Sequence, residues 1–219
     1  MKQCNICDSF VFADFANRIG VQCATCKSLE RHRLVRWALE QLGYTTDAAS
    51  RKRALHLSPE ASTHRYMTRL FDVGYVCADP KPEDYPHAEC LKLTLPEGFD
   101  IFPDGYFNLI VHNHVLEHIR GDYRDHLFAF SRLLASGGHM VFTVPIAVAE
   151  TTVQGGELLK SDEERKRLFG QADHYKIFGR DLLDWSLDGY GTFESINIPK
   201  EVRDDLKASP DQVFVYSKF

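Results

Sequence analysis

The sequence lacks the features that would place it in a membrane or mark it for secretion. Among its 219 residues, no apolar run approaches the roughly 20 residues of a membrane-spanning helix. The N-terminal stretch MKQCNICDSF contains no apolar core of the kind that a secretory signal peptide needs. We therefore expect a cytoplasmic protein with no membrane partner.

The sequence also lacks an excess of positive charge. Its net charge is -5, whereas broad, non-specific binding of nucleic acid requires a large basic surface. Internal repeats and low-complexity segments are missing as well. The composition is that of an ordinary globular protein, 44% hydrophobic and 26% charged, and the length suffices for one sizeable core with a small appendage. Nucleic acid remains a possible partner only through a local basic patch.

Four of the six cysteines form two CxxC pairs, separated by the fifteen residues between Cys7 and Cys23. Disulfides are rare in the cytosol, so we interpret these thiols as metal ligands. The spacing is typical of a zinc ribbon, in which four thiolates surround Zn²⁺. A redox-active CxxC would explain only one pair, and four unrelated thiols would explain neither. We predict a ribbon over residues 1–27 whose structural Zn²⁺ is bound by Cys4, Cys7, Cys23 and Cys26.

Residues 28–51 are predicted to form a helix and a linker that follow the ribbon. Ser28 is placed to cap the helix, and Gly43 is placed to end it. Three arginines lie outside its apolar stripe, namely Arg31, Arg33 and Arg36. These arginines form either a solvated face or a surface for an anionic partner such as RNA.

From residue 52 to residue 219, apolar runs alternate with amphipathic helices, which predicts a mainly parallel sheet with helices on both faces. After the first strand, Ser58-Pro59-Glu60 has the pattern of an N-cap, a first-turn proline and a first-turn acid. The second strand ends at Asp79, whose carboxylate could accept hydrogen bonds from ribose hydroxyls. The first turn lacks the GxGxxG pattern, so a ligand without phosphate fits better than NAD.

Polar side chains follow the apolar run 107–111, which we interpret as a buried strand. They are His112, Asn113, His114, Glu117 and His118. Ligands bind at the carboxyl ends of strands in open α/β sheets, so these residues form a candidate site. The alternative is a surface helix that happens to be rich in histidine.

The last third of the chain is predicted to complete the sheet. A helix over 121–135 ends at Gly137-Gly138, and a strand over 139–144 follows it. Residues 147–180, which include His174, form an insertion that we interpret as a lid. A helix over 181–187 and two closing strands, 193–198 and 213–218, follow the insertion.

Several of these motifs together resemble one enzyme family. They are Asp104-Gly105-Tyr106-Phe107-Asn108-Leu109-Ile110, His114-Val115-Leu116-Glu117-His118-Ile119, Phe130-Ser131-Arg132-Leu133-Leu134-Ala135-Ser136-Gly137-Gly138 and Val141-Phe142-Thr143-Val144-Pro145. They are similar to the run PDxSFDxI…HVLEHV…RVLKPGG…LxVP of class I S-adenosylmethionine (SAM)-dependent methyltransferases of the type 11 group. Some members also have a ribbon that leads into CGSLERHR, which resembles Cys26-Lys27-Ser28-Leu29-Glu30-Arg31-His32-Arg33 here.

The resemblance implies a Rossmann-like sheet of seven strands whose last strand is antiparallel. By position, it assigns cofactor binding to Leu57, Ser58, Pro59, Glu60, Asp79, Leu93, Thr94, Asn113 and His114. Two features depart from the family. The cofactor loop His56-Leu57-Ser58-Pro59-Glu60 contains no glycine, and Lys92 stands where an aspartate is common. A loop without glycine approaches a ligand less closely, which predicts weaker cofactor binding.

The chemistry of methyl transfer indicates what the histidines could do. A methyl group moves from a sulfonium by in-line displacement, and an oxygen or nitrogen acceptor must lose a proton. Imidazole suits that role, so the candidate bases are His114, His118 and His174, with Glu117 able to orient one of them. The alternative is that the side chains of the 114–118 turn only pack or cap it.

Three functional hypotheses follow. The first is a SAM-dependent methyltransferase for a small molecule or saccharide, favoured by the acidic net charge and the short lid. The second is an RNA or protein methyltransferase that holds its substrate with the ribbon and the basic helix. The third is a methyltransferase-like scaffold without activity, which the glycine-free loop keeps open.

Overall fold

The computed structural model describes residues 3–207 and 212–219, which form a seven-stranded sheet, helices on both of its faces and an N-terminal hairpin. The strands are β1 (Phe12–Phe15), β2 (Arg18–Cys23), β3 (Ala54–Leu57), β4 (Tyr75–Asp79), β5 (Leu91–Lys92), β6 (Phe107–Asn113), β7 (Leu134–Thr143), β8 (Val153–Gln154), β9 (Lys176–Ile177), β10 (Gly191–Ser195) and β11 (Phe214–Lys218). The α-helices are α1 (Glu30–Gln41), α2 (Thr46–Ala49), α3 (Ala61–Phe71), α4 (Tyr123–Leu133), α5 (Asp162–Phe169) and α6 (Lys200–Asp205). Within the described residues, no helix is both long enough and apolar enough to cross a membrane.

The order of strands across the large sheet is β5-β4-β3-β6-β7-β11-β10. Strands β3 to β7 pair in parallel, and the last strand, β11, is antiparallel to both of its neighbours. This confirms the predicted seven-stranded Rossmann-like fold. The strand order reverses between β3 and β6, and such a switch point opens a crevice at the carboxyl ends of the strands.

An apolar core covers each face of the sheet, because alternate side chains of a strand point to opposite faces. On one face, Ile110 of β6 packs with α4 and with aromatic side chains of β7 and β11. On the other face, Leu109 and Val111 pack with α1 and α3. The helix predicted to connect the ribbon to the sheet is therefore part of the main core. The predicted domain boundaries at residues 27 and 51 remain predictions.

The transition from α4 to β7 differs from the prediction. The helix ends at Leu133, the strand begins at Leu134, and the Gly137-Gly138 pair lies inside β7. There the register against β6 shifts between Phe107 and Leu109, which is a β-bulge. Gly137 has a φ of +70°, and a Cβ at Gly138 would lie 2.8 Å from the carbonyl oxygen of Ala135. The two glycines therefore permit a bulge and do not cap a helix.

The helix predicted over residues 181–187 is also wrong. The segment forms a short 3₁₀ helix, Arg180–Asp184. Leu182 and Trp185 are both buried, and the three-residue period of a 3₁₀ turn places side chains at this spacing on the same side. One tight turn therefore buries both side chains without a longer helix.

Candidate active site

A cavity of about 390 Å³ opens at the switch point of the sheet, beside the carboxyl ends of β3, β4 and β6. Seven of the predicted cofactor-binding residues line it: Leu57, Ser58, Glu60, Asp79, Leu93, Asn113 and His114. The other two, Pro59 and Thr94, are not among the residues that line it. Pro59 is buried with its carbonyl oxygen bonded to His87, and Thr94 is exposed. The fold thus brings most of the predicted set together.

Ser58 has a backbone conformation that is normally reserved for glycine. Its φ is +48°, although it carries a side chain. Its hydroxyl donates a hydrogen bond of 2.7 Å to Oδ2 of Asp79, and the backbone N–H of Lys81 donates to Oδ1. The prediction that Ser58 caps a helix is therefore wrong. The left-handed turn directs its hydroxyl to Asp79, and Glu60 becomes the N-cap of α3.

Glu60 is the point at which three parts of the fold meet. Its Oε1 lies 3.0 Å from Nε2 of His32 and 3.5 Å from Nε of Arg31, both on α1. Its Oε2 accepts a 3.4 Å hydrogen bond from the side-chain amide of Asn113 at the end of β6. Burial alone would raise the pKa of Glu60, but His32, His56 and Arg31 outweigh it and hold the pKa well below 4.5. An ionised carboxylate therefore faces the cavity.

Sequence reasoning missed several residues that line the cavity: Arg31, Ala78, Pro80, Lys81, Tyr85, Leu95, Val115 and Ile119. The signal for Lys81 was its position two residues after the strand-ending Asp79. For Arg31 the only signal was its place in the LERHR motif, because nothing in the helical pattern shows that α1 reaches the cavity. Tyr85 lies in the segment after β4, where the hydrophobic pattern of the sequence predicted neither a strand nor a helix, so nothing indicated its position.

The basic patch expected on α1 does not exist as predicted. Arg33 is fully buried and donates hydrogen bonds of 2.7–2.8 Å to the carbonyl oxygens of Ser28, Val21 and Leu206. Burial lowers the pKa of its guanidinium. Arg36 pairs with Glu40. Arg33 therefore joins the hairpin to the sheet domain, because the three carbonyls that it satisfies come from both parts.

His114 lines both the cavity at the switch point and a second cavity of about 780 Å³. Its φ is +53°, an unusual backbone conformation for a residue with a side chain. Its Nδ1 lies 3.2 Å from Oε1 of Glu117, which is completely buried. The second cavity is lined mainly by apolar side chains from Val144 to Val148 and by Leu182, Leu183 and Phe214. His114 is thus the imidazole that faces both cavities.

His118 and His174 form a separate pair. Their rings meet edge to face with centroids 4.7 Å apart. His118 lines the cofactor cavity, whereas His174 is buried behind it and does not. The insertion over residues 147–180 does bring His174 to the strand-end motif, and Glu117 lies beside both rings.

His112 belongs to the core. The strand continues to Asn113, two residues beyond the predicted end, and His112 is stacked between Phe130 and Phe142. Burial lowers the pKa of His112 to about 3, so its ring is neutral at physiological pH. The prediction that His112 belongs to the candidate site is therefore wrong, because its side chain is enclosed by apolar residues of the core.

The four cysteines of the CxxC pairs lie together at the base of the hairpin. The Sγ atoms are 3.6 Å apart in Cys4 and Cys26 and 3.5 Å apart in Cys7 and Cys23. These separations are far longer than a disulfide and close to the edge of a tetrahedron with Zn–S bonds of about 2.3 Å. Ser28 lies within hydrogen-bonding distance of Cys4 and Cys26, so its hydroxyl supports the cluster. The N-cap of α1 is accordingly Leu29, contrary to the prediction.

Comparison with known proteins agrees with this geometry. Residues 56–192 match the model of a family described as a methyltransferase domain. No curated protein is a significant match to the sequence.

Solved structures with the same fold are distant in sequence. One is a SAM-dependent methyltransferase from Archaeoglobus fulgidus, with a TM-score of 0.54 and 13% identity over 86% of this chain and 94% of that chain. Another is the CurJ carbon methyltransferase, with a TM-score of 0.50 and 14% identity over 85% of this chain and 52% of that chain. This chain thus spans about half of that second protein. At sequence identities this low, the structural similarity shows a shared fold alone.

Proposed function

This chain belongs to the methyltransferase-domain family and has the class I SAM-dependent fold, and we propose that it transfers a methyl group from SAM to a small-molecule acceptor. The observation that carries the proposal is the cavity at the switch point, where Asp79 and Glu60 are both held in place by hydrogen bonds. SAM supplies the electrophilic methyl group. The protein must bind it, orient the acceptor and remove a proton.

The cavity offers complementary groups for each end of SAM. Asp79 is 9% exposed and keeps lone pairs beyond those used by Ser58 and Lys81, so it can accept hydrogen bonds from ribose hydroxyls. The ionised Glu60 can attract the ammonium of the methionine moiety. Leu93 and Leu95 provide an apolar wall for a flat base. The residues of the glycine-free loop therefore fit the cofactor, since Ser58 adopts the turn that glycine gives in the family.

The second cavity supports a small, largely apolar acceptor. Its walls are mostly aliphatic and aromatic, and Arg180 and Gln212 supply polar groups. A saccharide would leave many hydroxyls without partners against such walls. An RNA or protein substrate is less favoured, because Arg33 is buried and Arg36 is paired with Glu40.

Among the three candidate histidines, His114 is best placed to act as the base. It faces both cavities, and its Nδ1 lies 3.2 Å from the buried carboxylate of Glu117, whose charge favours a proton on Nδ1 without a hydrogen bond and leaves Nε2 to accept one from the acceptor. This pairing is the orienting role expected of Glu117.

Calorimetric titration of the protein with SAM and S-adenosylhomocysteine tests the proposal. We expect both to bind, with affinities in the micromolar range typical of enzyme substrates. Absence of binding at millimolar concentration would refute any SAM-dependent activity and favour the scaffold hypothesis. Binding without any methylated product from a library of hydroxylated and aromatic small molecules, but with product from RNA or protein, would refute the acceptor class.

We further propose that Cys4, Cys7, Cys23 and Cys26 bind a structural Zn²⁺. All four sulfurs lie within 4.8 Å of one another, and no other ligand is needed to complete a tetrahedron. Cys7→Ser should remove one equivalent of zinc per chain in metal analysis, while Cys90→Ser, a half-buried cysteine outside the cluster, should retain it. Equal zinc contents in both variants would contradict the proposal.

A further inference from the structure

Three side chains beside the cofactor cavity form a cluster that methyl transfer does not require. They are Glu117, His118 and His174, and one ligand atom of each lies within 4.8 Å of those of the other two. Glu117 comes from the turn after β6, and His174 comes from the insertion between β7 and β10. Residues 57 positions apart in sequence are thus brought together around one point.

Glu117 is buried without the partners that a carboxylate needs. Its side chain is 0% exposed, and neither oxygen has a hydrogen-bond partner. The contact with Nδ1 of His114 is 3.2 Å long but is not a hydrogen bond. A buried carboxylate without a partner strongly destabilises the fold unless it is neutralised. The oxygens of Glu117 therefore require a cation or a proton.

Both histidines are prepared to act as ligands through the same nitrogen. Nδ1 of His118 lies 3.1 Å from the carbonyl oxygen of Asp173, and Nδ1 of His174 lies 3.1 Å from that of Phe169. A carbonyl oxygen only accepts, and the carboxylate of Asp173 also lies 3.4 Å from Nδ1 of His118, so each Nδ1 carries a proton and each Nε2 presents a lone pair in the neutral ring. Metal-binding histidines in proteins are oriented by such bonds.

We propose that Glu117, His118 and His174 bind a divalent cation of the Zn²⁺ type. Two imidazoles and one carboxylate form a ligand set of catalytic zinc sites, in which a fourth position stays open. His118 brings the site to the wall of the cofactor cavity, since its side chain is 34% exposed and lines that cavity.

The nearest buried cation does not take the place of a metal. Lys176 follows His174 by two residues and is fully buried, but its ammonium donates to the carbonyl oxygen of Ile119. Its charge lies close enough to Glu117 to weaken cation binding somewhat, and it leaves the two Nε2 lone pairs unoccupied.

The open coordination position indicates which kind of acceptor could bind to the cation. A cation here would bind an oxygen atom, such as the hydroxyl of a phenol or an enol, and lower the pKa of that hydroxyl. This part of the inference rests on the proposed methyl transfer, whereas binding of the cation does not.

Zinc titration of the whole chain tests the site. After removal of metal, we expect the wild type to bind two Zn²⁺ per chain, one at the cysteines and one here. His118→Gln and Glu117→Gln should bind one with unchanged affinity and the second at least about tenfold more weakly. His64→Gln, outside the cluster on α3, should bind two. Thermal unfolding of each variant verifies that it is folded.

Cobalt provides a second readout that does not depend on stoichiometry alone. Co²⁺ bound by thiolates gives a charge-transfer absorption, while Co²⁺ at a nitrogen and oxygen site gives only weaker ligand-field bands. We expect the second equivalent to add ligand-field bands in the wild type and none in His118→Gln. One metal per chain in the wild type, or a second site unchanged in both variants, would overturn the proposal. Because no SAM is present, this outcome is separate from failure of the methyltransferase proposal.

Discussion

Nε2 of His32 lies 3.0 Å from Oε1 of Glu60, so helix α1, which follows the N-terminal hairpin, contacts a residue that lines the cavity at the switch point. Nδ1 of His32 accepts a hydrogen bond from the backbone N–H of Leu29, which leaves the proton on Nε2 to be donated to the carboxylate. The start of α1 and the start of α3 are thereby joined through two side chains.

Glu60→Gln should destabilise the protein in a pH-dependent way. The folded protein holds the pKa of Glu60 well below 4.5, so the ionised carboxylate stabilises the fold fully above about pH 4.5. This contribution is lost as the pH falls through the lower pKa of the folded state. We expect Glu60→Gln to lower the free energy of unfolding by about 1–2 kcal/mol near neutral pH, with the difference vanishing in acid.

Urea unfolding of wild type and variant between pH 3 and 7 measures this difference. Glu194→Gln, an exposed position on β10, serves as the control and should show no such dependence. A difference that grows as the pH falls would contradict the assigned ionisation state.

Part of this site could be predicted from the sequence, because some of its residues stand directly at the ends of strands that the sequence pattern reveals. Asp79 and Asn113 end strands of a parallel sheet, and the carboxyl ends of such strands meet at one edge. Position along the chain was therefore enough to bring them together. The same holds for the four cysteines of the CxxC pairs, because their spacing was enough to predict that their sulfur atoms cluster.

The rest depends on contacts that no spacing reveals. Arg33 has the sequence environment of a surface arginine, yet it is buried because three carbonyls from distant segments converge on it. His112 follows an apolar run in the sequence, which predicted a polar residue of the site at the end of the strand. In the structure it lies inside β6, stacked between two phenylalanines. Ser58 has the sequence pattern of an N-cap, and only its φ shows that it replaces a glycine.

Asp79→Asn should weaken SAM binding with little effect on the fold. Asparagine retains the size of the side chain but replaces one acceptor oxygen by a donor, which cannot bond both the Ser58 hydroxyl and a ribose hydroxyl. We expect the Kd of SAM to rise about 10- to 100-fold, which equals about 1.4–2.8 kcal/mol. Asp84→Asn, an exposed neighbour, should leave the Kd unchanged; a parallel loss in both variants would remove the specific role of Asp79.

Arg33→Met should destabilise the whole chain. The substitution retains an apolar stem of similar length but removes the hydrogen bonds to the carbonyl oxygens of Leu206, Val21 and Ser28, of which Ser28 keeps the backbone N–H of Cys23 as a donor. We expect a loss of about 3 kcal/mol or more in the free energy of unfolding. Arg36→Met, which removes a partly exposed pair with Glu40 and a cation–π contact with Tyr66, should cost only about 1 kcal/mol. Urea unfolding measures both losses. If Arg33→Met loses no more free energy of unfolding than Arg36→Met, the buried hydrogen bonds of Arg33 contribute little to stability.

His114→Asn should reduce turnover while leaving cofactor binding intact. Asparagine tolerates the left-handed backbone that His114 adopts, so the turn after β6 is preserved while the imidazole is removed. If His114 removes the acceptor proton, kcat should fall about 100-fold or more with an oxygen or nitrogen acceptor. The Kd of SAM should stay within about twofold in calorimetry, because Asp79 and Glu60 remain.

Two comparisons make this prediction specific to proton removal. The pH dependence that the base contributes to kcat should disappear in His114→Asn, whereas a merely structural loss would lower the rate at every pH by the same factor. His64→Gln on α3 should retain the wild-type profile. If His114→Asn keeps both the rate and the pH profile of the wild type, the acceptor loses its proton to another group or needs to lose none.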